Sequence, residues 1–175
     1  YSSAASDVYK RQMVDRVAIV TGGARGIGLG IAKMLFAKGH HLAIWDRDEE
    51  ALATLSKTLN AGADRLLVQV VDVTNKDAIE RATGAITDHW SAPNILVNNA
   101  GINVPRLLVD PTGKEELTEE IWDKVFAVNV KGQFLCAQAA ARAMLADGKG
   151  GVLINMSSES GMEGSEGQSV YAATK

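Results

Sequence analysis

"RVAIVTGGARGIG", residues 16–28, decides how the rest of the chain is read. "RVAIVT" is a short run rich in β-branched residues, and an amphipathic segment from about Ile27 to Ala37 follows it. Between them Gly22, Gly26 and Gly28 are spaced GxxxGxG, so a strand turns sharply on glycine and re-enters as a helix. Glycine lets the backbone turn and approach a ligand closely, and the helix start presents free N–H groups with a partial positive charge. An anionic group, such as a pyrophosphate, suits that place, and Ile27 lies inside the turn.

Outward from this unit the same alternation repeats. The expected strands are 16–21, 41–45, 66–71, 94–98 and 151–157; the expected helices are 27–37, 49–59, 76–90 and one long helix, 119–145. Continuously apolar strands joined by helices point to a parallel sheet covered on both faces, with right-handed crossovers. The fold class is therefore α/β: a Rossmann-type doubly wound parallel sheet with five strands present, in one domain over residues 13–175. Residues 1–12, "YSSAASDVYKRQ", are polar and aperiodic and read as a non-native or disordered leader, with Met13 as the native start.

An isolated glycine triplet is weak, but here Asp46 closes the second expected strand, 18 residues past Gly28. A carboxylate there accepts hydrogen bonds from the adenosine ribose hydroxyls and repels a 2′-phosphate, which favours NAD as the cofactor over NADP. Arg25 and Arg47 argue the other way, because a guanidinium pairs with a 2′-phosphate. Asp72, followed by Val73 after the third strand, is expected either to bond the adenine amino group or to cap the helix beginning after Thr74.

Composition narrows the partners. The chain has 175 residues, 46% of them hydrophobic, and a net charge of −3 without a long run of one sign. Nucleic acid and anionic membrane surfaces are therefore not expected partners, and a small molecule is. One cysteine, Cys136, excludes an internal disulfide and fits the cytoplasm; no apolar run approaches the ~18 residues of a membrane span. His40 and His41 adjoin without clustered partners, so no metal site is expected. Cys136, Trp45 and Trp122 read as packing residues, and Thr118 as a helix cap.

Six motifs, "TGGARGIG", "DV", "NNAG" (98–101), "NVKG" (129–132), "NMSS" (155–158) and "YAATK" (171–175), stand in the order found in the short-chain dehydrogenase/reductase family, which the chain resembles from Met13 onward. The resemblance implies hydride transfer between a nicotinamide cofactor and an alcohol or carbonyl. It implies Asn129, Ser158, Tyr171 and Lys175 as the catalytic set, with Asn99, Gly101, Tyr171 and Lys175 also against the cofactor. Ser157 would support the backbone. The chemistry fits: a free phenol ionises near pH ~10 and is a poor base at neutrality, so its anion needs the nearby ammonium of a lysine one helical turn on.

"NNAGINVPRLLVD" (98–110) and "SSESGMEGSEGQSVYAATK" (157–175) are similar to those of bacterial NAD-dependent hexitol-phosphate dehydrogenases in this family. That implies a sugar-phosphate substrate, with Arg106 as a candidate for its phosphate and Glu159, Glu163, Ser165, Glu166 and Gln168 as polar surroundings. The rival readings are a 3-oxoacyl thioester reductase of the same family and a non-catalytic dinucleotide-binding module. Family members continue past the YxxxK lysine and are commonly homo-oligomers. A C-terminally truncated domain is therefore expected, binding NAD weakly at most and turning nothing over as it stands, with the fifth strand an open apolar edge.

Overall fold

A computed structural model describes residues 16–59 and 64–175. The expected leader and Met13 lie outside the described residues. The order is β1 (Val17–Thr21), α1 (Gly26–Ala37), β2 (His41–Asp46), α2 (Glu49–Thr58), β3 (Leu66–Val70), α3 (Lys76–His89) and β4 (Ile95–Asn98). It continues with α4 (Glu119–Phe126), a π-helical stretch (Ala127–Gly132), α5 (Gln133–Asp147), β5 (Val152–Asn155), a 3-10 turn (Glu159–Gly161) and α6 (Ser169–Ala173).

All five strands are parallel, in the order β3-β2-β1-β4-β5. Alternate residues of each strand point to opposite faces, so the continuous apolar runs supply two cores at once. Val17, Ile19, Ala43, Trp45 and Leu96 pack with Ile79 and Ile86 of α3 and with Leu135, Cys136 and Ala139 of α5. Ala18, Val20, Leu42, Ile44 and Val97 pack on the other face with Ala32 of α1 and with Leu52 and Leu55 of α2. The order reverses between β1 and β4, so the loops after those two strands diverge and leave a crevice at their C-terminal ends.

Trp45 and Cys136 are each 1% exposed, as packing residues should be, whereas Trp122 is 41% exposed and stacks on Phe126 with ring centroids 4.7 Å apart. The long helix 119–145 forms, but widens into the π-helical stretch around Asn129. β5 is the edge strand, and its Val152, Leu153 and Ile154 are all exposed while β4 is buried throughout. No helix among the described residues is long and apolar enough to cross a membrane.

His40, just before β2, is buried, and its Nδ1 has no hydrogen-bond partner. Burial first, and then the charges of Arg16, Lys38 and Arg65, hold its imidazole below the ordinary value of 6.5. The unfolded chain therefore takes up a proton near pH ~6.5 that the folded chain refuses, so stability present above that pH declines as the pH falls through the folded value. Urea unfolding at about pH 7.5 and about pH 5 is expected to show this decline, and His40→Leu to flatten it; an unaltered slope in the variant would contradict the assignment.

Candidate active site

The crevice is built around the quoted glycine turn. The Thr21 hydroxyl accepts hydrogen bonds from Asn99 N and Ala100 N, each at 3.0 Å, tying the end of β1 to the end of β4. Asn99 Nδ2 donates to Thr21 O at 3.1 Å and Gly22 O at 3.0 Å, so this side chain clamps the turn from behind. Gly22 has φ 61°, a left-handed conformation. Gly28 admits no side chain: a Cβ there would lie 2.2 Å from Gly22 O. At Gly26 the same test meets nothing within 4 Å, so the start of α1 opens onto free space.

Beside the turn lies a cavity of about 740 Å³. Gly22, Arg25, Ile27, Gly28, Asp46, Asp72, Val73, Asn99 and Gly101 line it, as the sequence led one to expect, together with Arg47, Asp48, Ile102 and Val128. Gly26, Tyr171 and Lys175, also expected at the cofactor, are not among its lining residues.

The carboxylates in the cavity are fixed by backbone amides. Asp46 accepts from Ala24 N through Oδ2 and from Asp48 N through Oδ1, both at 3.1 Å. Asp72 accepts from the Thr74 amide and hydroxyl, both at 2.8 Å, and thereby shapes the turn before α3; the cap of α3 is Asn75, whose Oδ1 accepts from Ala78 N. Asp48 caps α2 through Ala51 N and pairs with the Arg25 guanidinium. Its carboxyl is held below the ordinary range by the Ala51 amide and then by Arg25.

A second cluster adjoins the cavity at Gly101, where an added Cβ would lie 3.3 Å from Asn129 Oδ1 and 3.5 Å from Lys175 Nζ. Asn129 is 1% exposed. Its Oδ1 accepts from Ile102 N at 2.8 Å, and its Nδ2 donates to Ile102 O at 2.9 Å and to Thr174 Oγ1 at 3.0 Å. This side chain binds the loop after β4 to the end of α6. It does so from the π-helical stretch, a kind of widened turn often found at functional sites.

Lys175 Nζ donates to Met156 O at 3.1 Å and lies 5.6 Å from the Tyr171 ring centroid. Burial lowers its pKa. Ser157 Oγ donates to Lys175 O at 3.0 Å. Ser158 Oγ accepts from Ser160 N at 3.2 Å and keeps its own proton to donate. Asn129, Tyr171 and Lys175 thus share one corner, joined by Thr174, whose hydroxyl also donates to Tyr171 O at 2.7 Å. Neither Thr174 nor Thr21 stood out in the sequence, since a lone hydroxyl carries no spacing signal.

Arg106 was the candidate for a substrate phosphate. Its Nη1 pairs with Glu115 at 3.0 Å and donates to Pro105 O at 2.7 Å, so a phosphate would have to displace a carboxylate. Among the described residues no group of three or more His, Cys, Asp or Glu is placed to hold a metal ion.

The family model described as short chain dehydrogenase matches residues 16–175, the whole of the sheet and both clusters. The chain belongs to the short chain dehydrogenase family. It is 43% identical over 164 residues to a sorbitol-6-phosphate 2-dehydrogenase of Klebsiella pneumoniae, covering 92% of this chain and 58% of that protein. It is 38% identical to a sorbitol dehydrogenase of Cereibacter sphaeroides, covering 91% and 59%, and 37% identical to the 3-oxoacyl-(acyl-carrier-protein) reductase MabA of Mycobacterium bovis, covering 99% and 63%. A crystal structure of a short chain dehydrogenase from Bacillus anthracis superposes with TM-score 0.85 at 28% identity, covering 93% of this chain and 65% of that one. The chain therefore spans about three fifths of the length of the curated relatives it matches.

Proposed function

We propose that this short chain dehydrogenase moves hydride between NAD and an alcohol or carbonyl, with sorbitol 6-phosphate and fructose 6-phosphate as the substrate pair. One observation carries the reading: a cavity that opens at the N-terminus of α1 ends at Gly101, against which Asn129 Oδ1 and Lys175 Nζ lie. The cavity suits a dinucleotide, because Ile27 and Gly28 at the start of α1 line it where a pyrophosphate would sit, and Asp46 lines it where a ribose would. When bound, the nicotinamide supplies the hydride acceptor or donor.

The chain's own residues do the rest. Tyr171 takes the hydroxyl proton as a general base, and returns it in the reverse direction. The Lys175 ammonium, 5.6 Å from the Tyr171 ring centroid, favours the phenolate by its charge. Ser158 donates its free O–H to the substrate oxygen. Asn129 acts by position, holding the Ile102 loop and Thr174 around the reacting corner. Similarity to the Klebsiella pneumoniae protein supports the sugar phosphate, and Asp46 supports NAD over NADP.

The test is a coupled NADH assay on a version of this chain extended to the length of its relatives. Turnover with sorbitol 6-phosphate and NAD, and with fructose 6-phosphate and NADH, is expected to exceed that with a 3-oxoacyl thioester by at least about tenfold. The reverse preference would favour the acyl reductase reading, which the pairing of Arg106 with Glu115 and the similarity to MabA support. Binding of NADH without turnover of any of them would favour a non-catalytic module.

A further inference from the structure

Carboxylate and guanidinium groups lie together where the adenosine ribose is placed by the dinucleotide reading, Arg47 among them. Asp46, Arg25 and Asp48 line the same cavity. Each Asp46 oxygen accepts one backbone amide, which orients the carboxylate and leaves it a further lone pair on each oxygen. Arg25 is the basic side chain inside the glycine turn itself, with its side chain 66% exposed, and Asp48 takes it as an ion-pair partner through Oδ2. The other oxygen of Asp48 caps α2 through Ala51 N at 2.8 Å, so the carboxylate is anchored at the place from which it holds the guanidinium.

We infer that Asp48 is a second specificity-determining position beside Asp46: by engaging Arg25 it withdraws the cation that would otherwise meet a 2′-phosphate. The inference rests on reading the cavity as a dinucleotide site and goes beyond it, because it assigns the choice between the two cofactors to a pair of residues and not to Asp46 alone. Guanidinium pairs with a phosphate dianion at least as well as with a carboxylate, since both offer two oxygens to its planar fork and the phosphate carries more charge. What keeps Arg25 from serving NADP is therefore the competing partner already attached to it. Asp48 is a positioning residue in this respect, acting through Arg25.

Asp48→Asn separates the two roles of the side chain, because asparagine caps a helix as well as aspartate does but carries no charge. Affinities of the 175-residue chain for 5′-AMP and for adenosine 2′,5′-bisphosphate are read by NMR shift titration of the Gly22–Gly28 amides at one fixed ionic strength. The wild type is expected to prefer 5′-AMP. Asp48→Asn is expected to move the ratio of the two dissociation constants toward the 2′-phosphorylated ligand by about fivefold, the scale of one exposed ion pair exchanged for another. In the double variant with Arg25→Ala the ratio is expected to return to that of Arg25→Ala alone, which a merely structural role of Asp48 would not produce. An unchanged ratio in Asp48→Asn overturns the inference, as does a gain that persists without Arg25. Both of those outcomes leave dinucleotide binding standing, whereas a wild type whose turn amides show no saturable response to 5′-AMP overturns that reading and this inference with it.

Discussion

A Tyr171→Phe variant, assayed in a version of the chain extended to the length of its relatives, is expected to lose about 10³-fold in kcat with little change in KM. The substitution keeps the ring, and with it the contact of Lys175 Nζ 5.6 Å from the centroid, and removes only the oxygen that takes the proton. Tyr171 is half-buried on α6, and its backbone carbonyl is held by the Thr174 hydroxyl, so the ring has little reason to move. Steady-state kinetics with sorbitol 6-phosphate and NAD separate the two constants. A loss confined to KM would make Tyr171 a substrate-binding group and transfer the role of base elsewhere, whereas kcat at the wild-type level would remove it from the chemistry.

Gly28→Ala is expected to destabilise the 175-residue chain by about 3 kcal/mol and to weaken NAD binding by more than about tenfold. The new methyl would stand 2.2 Å from Gly22 O and 2.5 Å from Asn99 Nδ2. Neither is the free end of a flexible side chain: the first is backbone, and the second is committed to Thr21 O and Gly22 O. Relief must come from the turn itself, which is the wall of the cavity. Gly30 on the same helix is the control, since a Cβ there meets nothing within 4 Å. Gly30→Ala is expected to raise stability by up to about 1 kcal/mol, the usual helix preference for alanine. Urea unfolding and NAD titration of both variants check the contrast, and equal effects at the two glycines would show that the close approach at Gly28 is relieved at no cost.

The strands, their parallel pairing and the glycine turn were legible because each depends on local rules. A continuous apolar run of five residues between helices has few destinations other than a sheet buried on both faces, and β1, β2 and β4 are buried there at almost every position. Asp46 was legible for the same reason: the end of the second strand is a fixed place in this fold. Helix ends came within a residue or two, and Thr118, read as a cap, starts its helix by accepting from Ile121 N. The long helix was read without its π-helical stretch, from which Asn129 bonds Ile102, 27 residues earlier in the chain.

By itself, then, the sequence determined the layered α/β architecture, the crevice at the end of β1 and the residue types that meet there. These follow from periodicity, from the missing Cβ of glycine and from the chemistry of a phenol beside an ammonium. Only the tertiary structure decided how the polar side chains are spent. It committed Asn99 to the back of the turn, Arg106 to Glu115 and Arg25 to Asp48, and it drew Asn129 and Thr174 together across 45 residues. Each of these is a choice between partners that sequence leaves equally available, and the folded backbone makes it by bringing one of them within hydrogen-bond reach.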